Sequence, residues 1–216
     1  MTVRQQILDA ATRRFAQQGF AGTSLAHIAE DVGVAKPSVL YHFPSKDRLR
    51  QAVLDRVLGR WGEVLPAVLS AAAAEDRFDA LVAEAVRFFQ ADPNRARLLV
   101  REFLDRPEEM RGELRRRVRP WVRDVAQAVR RGQERGHHDP DADPEAYVLL
   151  VIQAVVGTLA VLDPLEAVLD GRPPHVGRVT EELLRAARAA LFTAEGQARV
   201  SARQQERDRG ARRAAE

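Results

Sequence analysis

Cysteine is absent from all 216 positions, which removes disulfides and thiolate metal sites from consideration. The fold must then hold by packing, and an apolar content of 45% is enough for one sizeable helical body or a small unit beside a larger one. A reducing cytoplasm is compatible with that lack, and a cytoplasmic location is expected. A basic-then-apolar leader is missing as well, since Met1 to Gln18 reads as an amphipathic helix. The longest apolar run, Ala146 to Leu162, contains Gln153, Gly157 and Thr158 and has Glu145 and Asp163 where a membrane span carries basic flanks. It is shorter than the roughly 20 residues that cross a bilayer, so no membrane partner is expected. Strand-like alternation and internal repeats do not occur. Neither do G-x-S-x-G, H-E-x-x-H, P-loop or dinucleotide-binding patterns, so no enzyme activity and no cofactor are expected. His137-His138-Asp139 comes nearest to a metal-binding cluster. Adjacent histidines before Pro140 read better as a solvated connection, and no metal is expected.

Lysine is also scarce: only Lys36 and Lys46 among 34 basic residues. Both fall in the segment that carries the most information, Thr23 to Phe43 and its C-terminal flank. Ser24 is a good N-cap, and Leu25, Ile28, Ala29 and Val32 then recur at helical spacing. Gly33 can take the left-handed conformation that ends a helix. A second helix starts at Lys36-Pro37, where proline suits the first turn, and Val39, Leu40 and Phe43 are its apolar side. Two short helices about a glycine turn are a helix-turn-helix, whose second helix docks in the DNA major groove. Before it, Ile7, Leu8, Ala11, Phe15 and Ala16 form an apolar stripe ending at Gly19. After it, Pro44 breaks the chain and Ser45 caps a long helix carrying Leu49, Val53, Val57, Trp61, Val64 and Val68.

Charge supports a nucleic-acid partner. Residues 1–50 hold seven basic and four acidic side chains, residues 51–194 hold 21 and 23, and residues 195–216 hold six and four. The basic excess thus sits on the reading segment and the tail. Further helices are expected from the stripes Phe78-Leu81-Val82-Ala85-Phe89 and Leu98-Leu99-Phe103-Leu104. Met110 through Val129 predicts one long helix kinked at Pro120, with an arginine-rich outer side read as a solvated face. The run 146–162, apolar all round, must be buried all round. The stripe Val176, Val179, Leu183, Ala186, Ala187, Ala190 and Leu191 follows, its alanines permitting close approach.

Phe15-(x3)-Gly19-Phe20, Thr23-Ser24, Ile28-Ala29, Val32-Gly33-Val34, Tyr41-His42-Phe43 and Ser45-Lys46-Asp47-(x)-Leu49 together resemble the TetR/AcrR family of bacterial regulators. The likeness covers about the first 55 residues. It implies an all-α protein with a three-helix DNA-binding domain at 1–48, a larger helical ligand-binding and dimerisation domain at 49–194, and a charged tail at 195–216. It implies a homodimer on double-stranded operator DNA, built through the last two long helices of each subunit. It further implies a repressor released by a small-molecule effector. Activation of transcription, or a body that binds a protein instead of a ligand, are the alternatives. By the same resemblance Lys36, Pro37, Ser38, Tyr41 and His42 face DNA, while Lys46 and the helix start at Thr23-Ser24 meet phosphates. Phe89, Phe103, Trp121 and Gln153 lie on helices that surround the family's cavity. Three positions depart from the pattern: Ala35 replaces the usual serine cap, Leu40 stands where tyrosine is common, and Ala26-His27 stands where arginine is common.

Overall fold

Helix α1 (Val3–Gly22) opens with a capping box, the Thr2 hydroxyl accepting from the Gln5 amide at 3.3 Å and the Gln5 side chain accepting the Thr2 amide at 2.9 Å. Its apolar stripe is buried from Ile7 to Ala16. Gly19 then interrupts the helix at φ 71°. A side chain there would be strained and its Cβ would stand 3.1 Å from Arg101. Helix α2 (Leu25–Val32) begins at Ser24, whose hydroxyl accepts from the His27 amide at 3.1 Å, and ends at Gly33 in the left-handed region. Helix α3 (Lys36–His42) has Pro37 in its first turn and no side-chain cap at Ala35. Helix α4 (Lys46–Ala71) is started by Ser45, which accepts from the Arg48 amide at 3.1 Å. It runs without a break across the boundary drawn between residues 48 and 49. The computed structural model describes residues 1–71, 76–169, 176–194 and 198. The rest of the tail read at 195–216, and the side chains of Trp61, Val64, Val68, Phe78 and Val176, lie outside the described residues.

Helices α5 (Asp76–Gln90), α6 (Asn94–Asp105), α7 (Pro107–Arg117), α8 (Arg119–Glu134), α9 (Pro144–Ala160), the short α10 (Leu162–Leu165) and α11 (Val176–Leu191) complete the body. The single kinked helix expected over Met110–Val129 is two helices, α7 and α8. The chain breaks at Val118, and Pro120 takes a first-turn position in α8, where its missing N–H costs nothing. A proline two residues into a new helix serves as a start signal, whereas the kink reading placed it in an interior. Helix α9 is capped by Asp143, which accepts from the Ala146 amide at 2.8 Å. Burial all round it does not hold within one chain: Tyr147, Val148, Val155 and Val156 point inward, while Leu149 and Leu150 are more than half exposed. No helix among the described residues is long and apolar enough to cross a membrane.

One apolar cluster runs through the N-terminal helices and the body. Two cations, Arg50 and Arg106, fasten the two parts, and Lys46 adds to the N-terminal side of the joint. Arg50 of α4 is 2% exposed; its Nε donates to Glu102 of α6 at 2.8 Å and its Nη1 to Glu109 of α7 at 2.9 Å. Arg106 and Lys46 lie over the Phe20 ring at 4.4 and 4.3 Å. At the far end, the loop before α9 is tied to the end of α11: the Asp139 amide donates to Leu191 O at 2.8 Å and the Thr193 amide to His137 O at 3.1 Å. The His138 ring fills the space over Gly132, where a Cβ would stand 2.1 Å from Nδ1. That nitrogen lies 3.0 Å from Val129 O, and the ring meets Phe192 edge-on at 4.8 Å.

Candidate nucleic-acid interface and apolar cavity

Burial sorts the side chains of α3 by helical angle. Val39 is fully buried and anchors the helix on the core. Lys36, Pro37, Leu40 and Tyr41 are exposed, Tyr41 at 85%. Ser38 and His42 are half-buried, and the Tyr41 and His42 rings meet edge-on at 5.2 Å. Lys36, Pro37, Ser38, Tyr41 and His42 are thus each at least partly open to the outside, spread around a short helix that is held to the core at Val39. Arg14 pins α2 to α1 through Asp31, at 2.7 and 2.5 Å. That bond raises the arginine pKa and holds the Asp31 carboxyl below the usual carboxylate range.

Two of the expected phosphate contacts sit differently. Thr23 is 1% exposed, and its hydroxyl donates to Gly19 O at 2.8 Å, so the side chain closes α1 and does not face outward. The Lys46 ammonium donates to Phe20 O at 2.7 Å and to Thr23 O at 2.8 Å. It caps the carbonyl end of α1 and so fixes the joint from which α2 departs. Ser24, next to Thr23, keeps its place as the N-cap of α2, with Ala26 and His27 exposed in the first turn. The pattern around Lys46 could not reveal this role, because a lysine at a helix start reads equally as a surface charge.

A separate cavity of about 100 Å³ lies between α5, α8 and α9. Phe89 and Trp121 line it, with Leu81, Val125, Tyr147 and Ile152 among the rest, and none of the described lining residues is charged. The Tyr147 hydroxyl turns away to donate to Ala187 O of α11 at 2.7 Å, and burial pushes its pKa well above the ordinary phenol value. Phe103 and Gln153 do not line the cavity. Gln153 is exposed, on the same outer side of α9 as Leu149 and Leu150. A lone amide in an apolar helix avoids an unmet hydrogen bond by facing outward.

Part of the arginine-rich side of α7 and α8 is spent on ion pairs. Arg116 and Arg117 bond Glu113 at 2.5 and 2.7 Å, and Arg130 bonds Glu145 at 3.3 Å. Among the described residues no group of three or more histidines and carboxylates is placed to hold a metal ion.

Residues 7–53 match a family profile described as bacterial regulatory proteins, tetR family, and residues 98–183 match one described as tetracyclin repressor-like, C-terminal domain. The HTH-type transcriptional regulator RutR of Escherichia coli (strain K12) is 50% identical over 58 residues, and that match spans 27% of either chain. The HTH-type transcriptional regulator TtgR of Pseudomonas putida is 48% identical over 52 residues, 24% of this chain and 25% of the relative. The chain thus aligns with about a quarter of the length of these curated relatives. Among solved structures, a ketosteroid transcriptional regulator of Mycobacterium tuberculosis superposes with a TM-score of 0.74 at 17% identity, over 89% of this chain and 96% of that one. The regulator FadR of Bacillus subtilis, solved with stearoyl-CoA, superposes with a TM-score of 0.68 at 16% identity, over 86% and 98%. At such identities the likeness is one of fold.

Proposed function

The chain belongs to the TetR family of bacterial regulatory proteins, and from that premise we propose that it is a cytoplasmic, DNA-binding transcriptional regulator, a repressor that a small molecule releases from its operator. The observation that carries this reading is the pairing of two chemically unlike sites on one core. A reader open to the outside, with Lys36, Ser38, Tyr41 and His42 on α3, stands apart from an apolar cavity that nothing in DNA recognition requires. Helix α4 leaves the reader at Lys46 and packs into the same core as the cavity helices. A ligand that prefers the non-binding arrangement lowers operator affinity by its difference in affinity for the two states. In this reading Lys36 meets a phosphate or a guanine edge and Ser38 a base edge, while the α2 amides behind Ser24 receive a phosphate.

The cavity's chemistry narrows the effector. A charged ligand would lose its hydration with no ionic partner among the described lining residues, at a cost of several kcal/mol (roughly 2–7 kcal/mol even for an uncharged polar group left unpaired). The effector is therefore uncharged and apolar. It is small as well, because an apolar space of about 150 Å³ holds a benzene and this one measures about 100 Å³. Genomic-fragment selection for bound DNA tests the first half of the proposal. Titration of the resulting complex with a panel of small neutral aromatic and aliphatic compounds tests the second. Release by about 5–150-fold corresponds to ordinary coupling energies of about 1–3 kcal/mol. Failure to enrich any DNA sequence would overturn the regulator reading, and release by charged compounds alone would overturn the apolar-effector reading.

A further inference from the structure

A second cavity lies on the other side of α5. The apolar cavity uses Leu81, Val82, Ala85 and Phe89, whereas Glu84, Arg87 and Phe88 open onto a cleft of about 670 Å³ between α5, α4 and the start of α6. That volume is in the range of small-molecule sites, roughly 300–1,000 Å³. The described residues lining it include four arginines, Arg56, Arg60, Arg87 and Arg95, against two carboxylates, Asp55 and Glu84. Asp55 is drawn to Arg117 of α7. Glu84 is shared between Arg60 at 2.9 Å and Arg87 at 2.7 Å. Arg56 turns to α1, bonding Asp9 at 2.6 Å and the Thr12 hydroxyl at 2.8 Å. Arg95 stays 3.8 Å from Asp92 and donates to a carbonyl, Phe88 O, at 2.7 Å. The guanidinium groups of Arg95 and Arg60 lie over the Phe88 ring at 4.5 and 5.4 Å. Burial holds the Arg95 pKa below its ordinary value, with Asp92 opposing that effect and the charges of Arg56 and Arg60 adding to it. Among the described lining residues, four arginines thus face two carboxylates around an aromatic floor, and Glu84 serves two of the arginines at once.

We propose that this cleft binds an oxyanion-bearing small molecule, a carboxylate or a phosphate, held by the guanidinium groups of Arg60, Arg87 and Arg95. Planar guanidinium groups accept either anion through paired N–H bonds, and a ligand with a flat group also has Phe88 to stack against. The site shares no lining residue with the apolar cavity and none with α3. Because Arg56 faces the cleft and holds α1, an anion there competes with Asp9 for that side chain. It is a second chemical input, placed against the helix that carries the reader.

The test is isothermal titration calorimetry on the full chain at constant ionic strength, once with inorganic pyrophosphate and once with citrate. One saturable site per chain is expected for at least one probe, and which probe binds distinguishes phosphate from carboxylate. Arg60→Gln, at a side chain about half exposed, is expected to weaken binding by about tenfold, as loss of a charge-assisted contact does. Glu84→Gln removes the internal competitor for Arg60 and Arg87. It is expected to tighten binding several-fold, a gain that a folding defect does not imitate. Lys36→Ala is expected to leave the affinity unchanged. Absence of saturable heat with both probes, equal affinity in the Arg60 and Glu84 variants, or loss of binding in the Lys36 variant would each overturn the proposal.

Discussion

The two lysines have parted company. Lys36 is exposed on α3, while Lys46 gives two hydrogen bonds to the carbonyl end of α1. Lys36→Ala is expected to weaken binding to all DNA sequences alike and to make the salt slope shallower by about one counterion. Lys46→Ala is expected to lower stability by about 1.5–3 kcal/mol, the range for hydrogen bonds from a charged donor, and to leave the slope unchanged. Denaturant midpoints and salt titrations of both variants decide this. A slope changed by Lys46→Ala at undiminished stability would return that side chain to the phosphates. His138 is the other residue with a readable consequence. Burial lowers its pKa from 6.5, against a smaller opposing effect of Val129 O, so the folded protein favours the neutral ring. The unfolded chain then binds the proton more readily, and the stability that the neutral ring contributes is present above about pH 6.5 and lost as pH falls below it. Urea midpoints at pH 7.5 and 5.5 should differ more for the wild type than for His138→Gln. Equal differences would mean that the ring takes up its proton without leaving its seat over Gly132.

Helix α3 is the least supported element of the reader. Its N-cap position is Ala35, with no side-chain bond to the free amides of the first turn. Ala35→Ser is expected to stabilise the chain by about 0.5–2 kcal/mol, raising the thermal midpoint, and an unchanged midpoint would show those amides already satisfied by water. This weak start was legible, and so were the interruption at Gly19, the end of α2 at Gly33 and the start of α4 at Ser45, because glycine, proline and capping hydroxyls act through local backbone geometry that any observer of the sequence can apply. The break at Val118 was missed because proline carries two meanings, kink and start, and only the neighbouring turns decide between them. The outward turn of Gln153 was missed because a helix of Val, Leu and Ile gives polarity almost nothing to sort. Which side faces the cavity is decided by α5 and α8, far away in sequence. Side-chain hydrogen bonds across such distances, as at Lys46 and Arg50, leave no periodic trace at all.

At the scale of the molecule, Leu149 and Leu150 stand exposed on α9, beside an amphipathic α11 that packs lightly on it. We expect two chains to cover this surface against each other, as paired helices about a two-fold axis. Light scattering at micromolar concentration should give twice the chain mass of 24.1 kDa, and Leu150→Glu should reduce it to that of one chain, since a buried unpaired carboxylate is costly. A mass that stays single for the wild type would leave the α9 surface facing water. The buried guanidinium of Arg50 bears on a different matter, the history and engineering of such proteins. Its carboxylate partners, Glu102 and Glu109, lie more than fifty residues downstream, in the body. A reader exchanged at residue 48 leaves Arg50 behind with those partners, but it parts Arg56 of α4 from Asp9 and Thr12 of α1 and Arg106 from the Phe20 ring. The segment that looks detachable is therefore not a module that recombination can exchange at residue 48. A working exchange has to supply partners for Arg56 and Arg106 in the new head, so new operator preferences on this body arise more readily by substitution on α3 than by swapping heads.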